Sequence, residues 1–551
     1  MKELAVDHSL INNANLASES RHFLEALTRW NYFPNQKESA TELPPNITTR
    51  RLTPEIVQKL LEDGQVEKNR GLLGYDLVEY RATRYNNVSR VLGLLHPMAL
   101  AKIFKIFSSN EKDIRNAISN INSAISVDRH NDGRMLIMNY ESQESKVLTA
   151  TQESFGKKFR AHTDIANCFG SVYTHSLEWA TQGFLAAKEN LAQKNKQPHW
   201  SSSLDKVLRS AKRSETSGLP IGPATSSIAV EIILSAVDCK LREKFSFIRY
   251  IDDYTALCDE HSDAEDFIRS LSKELSYYKL TLNLSKTSII QLPMPLQENW
   301  VSSLTNALPP PLRDDGQINF MSTGEAFNFL DHAVRLNNET PDGSVLKFAA
   351  STVCRRVKDG TGSDVLHYLL NLAWHYPILL PYLEKIDVSS DFYDSADLVR
   401  KLNSIINTNS LQRRSDGICW SLYYIERLGS EPDKDSIQCI IESRDCVALA
   451  MLSRFPSAAP QVVDYANSLI DGNPYSIDEN WFLFYELYRS GKIRNPYLKE
   501  NTFPILKKYE VDFFCNPNEF SPAENYCTHV VSNPFVEENE KQKFDDWMVA
   551  K

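Results

Sequence analysis

The chain changes hydrophobic rhythm several times, and the changes mark its organisation. Residues 18–33, SESRHFLEALTRWNYF, carry apolar positions at helical spacing and stop at Pro34; a polar, extended stretch with Pro44 and Pro45 follows. This predicts an N-terminal extension over 1–70. Residues 71–160 mix strand-like runs (LLGYDLVEYRATRY, 72–85; GRMLIMNYES, 133–142) with a helix in PMALAKIFKIFSSN, 97–110. Between 161 and 292 strand and helix signals alternate most densely. The pattern loosens over 293–345, where LPMPLQENW and ALPPPLRDDG read as linker. From 346 to 551 apolar positions return at helical spacing in block after block, as in VLHYLLNLAWHYPILLPYLEKI and ENWFLFYELYRSGKI, with Gly429, Pro432, Pro456 and Gly472 between blocks. That tail predicts stacked helical hairpins, a helical-repeat-like domain without a clean period.

One segment breaks its own rhythm. FIRYIDDYTALC (247–258) is strand-forming on both sides of Asp252 and Asp253. Adjacent carboxylates in such a run repel one another and resist desolvation, and a turn that aims both at bound cations relieves the repulsion. An ordinary hairpin turn with two solvated acids is the plainer alternative.

Two further segments bear on that choice. RAHTDIANCFGSVYTHS (160–176) ends a short strand at Asp164, with Phe169 five residues on. SGLPIGPATSSIAVEIILSAVD (217–238) is a Gly-Pro loop feeding a helix that opens on small residues, which permits close approach of something flat or bulky. Downstream, YKLTLNLSKTSII (278–290) carries Lys286 and Thr287. A strand-end acid, a Gly/Pro loop with a helix, a Y-x-D-D hairpin and a following lysine, in that order, resemble the palm of a polynucleotide polymerase.

Composition narrows the reading. Net charge is −10 over 551 residues, which argues against a general basic field that coats duplexes and leaves room for a local basic channel. Residues 346–551 hold 22 Lys and Arg against 29 Asp and Glu, so a nucleic-acid grip is expected elsewhere. Nine scattered cysteines without a C-x-x-C pair read as reduced thiols. The start, MKELAVDHSLINNANL, lacks a secretory pattern, and no uncharged stretch reaches membrane-spanning length, so a cytoplasmic location is expected.

The motifs RWNYFPNQKESATELPP, YRATRYNNVSRVLGLLHPMA and GLPIGPATS resemble those of the abortive-infection reverse transcriptases, bacterial antiphage polymerases of the AbiK, AbiA and prophage-encoded Abi type. The resemblance covers roughly residues 20–345, with a family-like helical tail beyond. It implies an α+β fold, reverse-transcriptase-like fingers and palm over 71–292 followed by an all-α C-terminal domain. It implies metal-dependent polymerisation of dNTPs without a template, a single-stranded DNA product attached to the protein, homo-oligomers, and phage defence set off by a phage-derived trigger. Asp164, Ile165, Asp252 and Asp253 would surround two Mg²⁺ (or Mn²⁺) ions about 4 Å apart, with Asp253 either a ligand or a support for Asp252.

The same resemblance makes Phe169 a gate against the 2′-hydroxyl, or else a core residue, and gives Gly218, Pro220 and Gly222 to the nucleotide loop. Lys286 would neutralise triphosphate charge or protonate the leaving group. Arg84 is a triphosphate contact, with Arg81, Arg90, Lys157, Lys158 and Arg160 further candidates. Tyr32, the first tyrosine of the chain, leads as priming hydroxyl, although WNYF also reads as a packed helix end. Ile221 departs from templated reverse transcriptases, which carry a glutamine there, and no three-helix thumb is evident after 292; both favour synthesis without a template. The alternatives are a templated enzyme of retron or intron type, and a catalytically silent nucleic-acid-binding scaffold.

Overall fold

The computed structural model describes residues 20–514 except 35–41, 68–69, 85–87, 125–150, 193–197, 296–297, 311–318, 341–343, 387–393 and 471–473. The strand expected in 133–142 lies outside the described residues.

The fold is α+β. A hairpin of β1 (Val78–Thr83) and β2 (Ser89–Leu94) pairs antiparallel from Val78↔Leu94 to Thr83↔Ser89. Helix Pro97–Ser109 follows at once, with Pro97 in its first turn and the His96 ring accepting from the Met98 amide. The central sheet has the order β4-β5-β3-β6, all antiparallel: β3 Phe159–Asp164, β4 Phe247–Tyr250, β5 Asp253–Cys258 and β6 Ser288–Gln291. Helix His261–Tyr277 opens with a reciprocal cap between Glu260 and Asp263 and buries Ala264, Phe267, Leu271 and Leu275. Helix Ala224–Leu241 is buried around most of its circumference, as a helix apolar on all sides must be, and takes Glu231 and Asp238 inside with it.

Two findings depart from the sequence reading. The stretch 293–345 is not simply a linker. Helices Asn299–Ala307 and Thr323–Glu339 pack against each other and against Ser344–Cys354, with Trp300 edge-on to Phe348 at 6.0 Å. A three-helix unit therefore does follow the palm, contrary to expectation; capping by Ser322 and Glu325 starts its middle helix, a signal available in STGE.

The second concerns the chain's two ends. The helical tail does not stand apart from the N-terminal residues but shares their core. Phe33 packs on Trp481, Phe482 and Phe513, and the Trp481 indole donates to the Leu94 carbonyl at 3.2 Å. Buried Arg70 pairs with Asp478 and Glu500, each at 2.6 Å. Thr83 donates from both its amide (2.7 Å) and hydroxyl (2.8 Å) to the buried Asp416 carboxylate. Burial lifts the Asp416 pKa to about 6, against the lowering effect of those hydrogen bonds.

A chain ended at residue 345 loses all of these partners. It is expected to express insolubly, or to unfold in urea without the parent's cooperative transition. A truncated palm that unfolds cooperatively at the parent's midpoint would show the shared core to be dispensable.

Candidate active site

The register of the central sheet builds the site. Asp164, the last residue of β3, stands opposite Asp253, the first of β5, while Asp252 occupies the two-residue turn between Tyr250 and Asp253. Three carboxylates from distant parts of the sequence thus meet at one edge. His162 reaches Asp253 at 4.0 Å. The Lys286 ammonium lies on the Asp164 carboxylate, set there by the short turn Leu284–Lys286 ahead of β6. Thr163 and Thr287 exchange a hydroxyl contact at 2.7 Å beneath it.

The acidic turn is strained. Ile251 has φ of 60°, the left-handed region, where a β-branched side chain is a genuine outlier that costs ~1–3 kcal/mol. A buried guanidinium holds it. Arg249 is fully buried, donates to the Ile251 carbonyl at 2.8 Å, and is neutralised by Glu231 (2.7 and 2.9 Å) and Asp238 (2.7 Å) from the helix behind the sheet. Tyr254 donates to the other Asp238 oxygen at 2.9 Å, and Asn120 donates at 2.6 Å to the oxygen that Arg249 holds. The Ile165 amide ties β3 to the same turn through the Asp252 carbonyl at 3.2 Å. Sequence reading missed this cage; its signal was Glu231, an acid inside an otherwise apolar helix.

Electrostatics follow from the crowding. Burial pushes the Asp252 carboxyl above its ordinary value, the charges of Asp253 and Asp164 add to it, and Lys286 pulls the other way. Asp253 is raised chiefly by burial and then by Asp164. Lys286 is raised by its hydrogen bond to Asp164. A partly buried, oxygen-only donor set with excess negative charge fits a hard divalent cation, and Asp164, Asp252 and Asp253 are the residues that could hold one.

The Gly-Pro loop flanks this edge. Leu219 donates to the Phe169 carbonyl and Gly218 to that of Val172, both at 2.8 Å, and Gly93 of β2 donates to Ile221 at 2.9 Å. Gly218 has φ of 80°, and a Cβ on Gly222, whose φ is 126°, would lie 2.8 Å from Pro34. Pro220 sits against Gly93, and half-buried Phe169 and Ile221 pack on the core beside it.

The basic residues separate by strand face. Arg90 opposes Ala82 across the hairpin, so Arg84 and Arg90 share one face, and Arg90 lies within electrostatic reach of Asp252. Arg81 is on the other face, paired with Glu79 at 2.7 Å. Lys157 and Lys158 lie beyond the opposite end of β3, about 20 Å from Asp164 at ~3.3 Å per residue. They pair with Asp259 (3.1 Å) and Glu260 (2.6 Å). Arg160, near that same end of β3, is also away from the acids. Arg81, Lys157, Lys158 and Arg160 are thus not brought to the acids, a correction to their expected role as triphosphate contacts.

Tyr32 is likewise not brought to the acids. It is fully buried, donates to the Leu95 carbonyl, packs on Phe33 and Phe513, and burial raises its pKa well above the ordinary phenol value. The packed-helix-end alternative describes this placement. Ile165 is buried with only its backbone near the site.

Acids gathered at a sheet edge from one strand end and one hairpin turn, with a lysine on the returning segment, are how palm-type nucleotidyltransferases hold their reacting phosphates. The sequence profile narrows this: residues 104–326 match the family described as reverse transcriptase (RNA-dependent DNA polymerase), and this chain carries a reverse-transcriptase domain. No curated protein matches the chain significantly. Solved structures similar to it include telomerase from Candida albicans in complex with a TWJ fragment of telomeric RNA (14% identity, TM-score 0.26, 77% of this chain and 71% of that one covered). Apo telomerase from Candida tropicalis is another (12%, TM-score 0.28, 75% and 73%). At such scores no functional argument passes from them to this chain.

Two predictions follow from the cage and the acids. Arg249→Met strands Glu231 and Asp238 as buried charges and should cost about 3–5 kcal/mol in urea denaturation. For Asp252, the unfolded chain gives up its proton first, near pH 4, so metal-free stability falls as pH rises from there through the raised native value. Asp252→Asn is therefore expected to raise the metal-free melting temperature at pH 7 and to abolish the further rise that Mg²⁺ gives the parent. An unchanged metal response in the variant would remove Asp252 from the cation site.

Proposed function

We propose that this chain is a DNA-synthesising polymerase of the abortive-infection type, extending a strand from dNTPs without copying a template. The observation that carries the polymerase reading is the register that sets Asp164 against Asp253 with Asp252 in the adjoining turn. A divalent ion, magnesium or manganese, bound by these acids would supply Lewis acidity to the phosphates and acidify the attacking hydroxyl. The protein's own groups do the rest. Lys286, already on Asp164, brings positive charge to the phosphates; Arg84 and Arg90 present a basic face from the hairpin. Phe169, beside the loop at Gly218, Pro220 and Gly222, excludes a 2′-hydroxyl by shape.

The template-free part of the reading is supported by Ile221, whose side chain can neither donate nor accept a hydrogen bond to a base. Its antiphage and protein-primed parts are supported by the resemblance of RWNYFPNQKESATELPP and GLPIGPATS, with the priming hydroxyl sought at residues other than Tyr32. A second reading, a templated reverse transcriptase, is favoured by one observation, the three-helix unit that follows the palm.

Incubating purified protein with dNTPs, Mg²⁺ and no nucleic acid separates the two. Product that stays with the protein through denaturing electrophoresis and disappears with DNase supports the first; synthesis only on added template and primer supports the second. In either assay Asp164→Asn and Asp252→Asn should each abolish incorporation in a folded protein, a loss of several kcal/mol of transition-state stabilisation. Phe169→Ala should admit ribonucleotides that the parent rejects. Near-normal incorporation by either acid variant would overturn the polymerase reading itself.

A further inference from the structure

A second cluster of metal-binding groups lies outside the palm acids. His175 begins helix Ser176–Gln182 as its N-cap, and Glu178 follows three residues on, so both side chains project from one face. Asp205 comes from the neighbouring helix Trp200–Ser210, packed alongside; one turn further the Thr181 hydroxyl meets Ser201 at 2.8 Å. One ligand atom from each of His175, Glu178 and Asp205 lies within 4.8 Å of the others. Asp205 is 2% exposed and Glu178 6%.

The charges of these groups are unevenly met. Asp205 has partners: the His175 Nδ1 at 3.0 Å, and Arg209 from its own helix at 3.2 Å. Glu178 does not. Among the described residues its carboxylate makes no hydrogen bond or ion pair; the residue as a whole is 6% exposed, and one carboxylate oxygen lies within 4.8 Å of the other two ligand atoms. A cation between the three groups would give that carboxylate a counter-charge.

We propose that His175, Glu178 and Asp205 bind one divalent transition-metal ion, zinc by the chemistry of the donors, as a structural staple distinct from the palm acids. One imidazole with two carboxylates suits zinc, whereas the all-oxygen palm set suits magnesium. Bonds of about 2.0–2.2 Å put tetrahedral donors about 3.4 Å apart, so the widest pair has to close by at most about 1.4 Å, within reach of the Glu178 torsions. Arg209 then acts as the outer partner that orients Asp205. His175 is one-third exposed, which leaves a path for the ion. Tyr173 stands edge-on to His175 at 5.0 Å and to one side packs on Trp179, giving the site an apolar wall.

What the staple fixes is the approach to the active edge. Residues 172–174 form a short ladder with 216–218: Gly218 donates to Val172 at 2.8 Å, Thr174 to Thr216 at 2.9 Å, and Tyr173 bridges Ser217. This ladder runs directly into His175. An ion there ties the Gly218 loop to helix Trp200–Ser210.

The full-length chain carrying Asp164→Asn and Asp252→Asn, so that the palm acids do not compete, is stripped with EDTA, returned to ZnCl₂ and analysed for zinc per chain and for melting temperature. One zinc per chain and a raised melting temperature are expected. Adding Glu178→Gln, which keeps size and burial, should weaken zinc binding at least tenfold, and His175→Ala should do the same. Cobalt in place of zinc should give visible ligand-field bands without a thiolate charge-transfer band. No zinc uptake at tens of micromolar, uptake unaffected by Glu178→Gln, or uptake abolished by alkylating the cysteines would each overturn the proposal.

Discussion

Everything at the active edge hangs on one buried cation. Arg249 is the only residue that touches both the helix behind the sheet, through Glu231 and Asp238, and the strained turn in front of it, through the Ile251 carbonyl, among the hydrogen bonds described for that turn. A guanidinium suits this task better than an ammonium. Its planar fork meets the Glu231 carboxylate with two nitrogens and still has donors for Asp238 and a carbonyl. Full neutralisation makes its burial tolerable; the same neutralisation makes any single deletion in the group expensive. The strain stored at Ile251 is thereby fixed in place, and the direction of Asp252 with it.

The palm chemistry was legible because it depends on local order. A strand of period two ending at Asp164 and a hairpin around Asp252–Asp253 can both be read from alternation, and their antiparallel pairing then brings the acids together. Arg249 was not legible. It occupies an inward strand position, and its partners lie on a helix 11 and 18 residues earlier, so only the fold reveals the pairing. Arg81, Arg84 and Arg90 look equivalent along the sequence; the register Ala82↔Arg90 alone decides which face each takes. Tyr32 illustrates the opposite case. The sequence left Tyr32 open between a priming hydroxyl and a packed helix end, and the aromatic residues that close that helix find Phe513 and Trp481 hundreds of positions away.

The division into fingers, palm and helical tail was read from changes of rhythm, which report element type and not association. Nothing in the periodicity of VLHYLLNLAWHY or WFLFYELYR says against what those faces pack. In the fold, part of the tail's apolar surface is matched by residues before position 100, and the charged pairs Arg70–Asp478 and Arg70–Glu500 seal the same contact. Among the described residues no helix is long and apolar enough to cross a membrane.

That contact also sets a clock. The bond from Trp481 to Leu94 spans 387 residues, and the one from Asp416 to Thr83 spans 333. During translation at about 5–20 residues per second, the hairpin emerges on the order of 20–80 s before Trp481 does. Through that interval Thr83, Arg70 and the Phe33 surface wait without their partners, and non-local contacts of this kind form late and slowly. The surface formed by residues before position 100 is thus left incomplete until most of the chain has left the ribosome, so its core closes only as a property of the whole polypeptide.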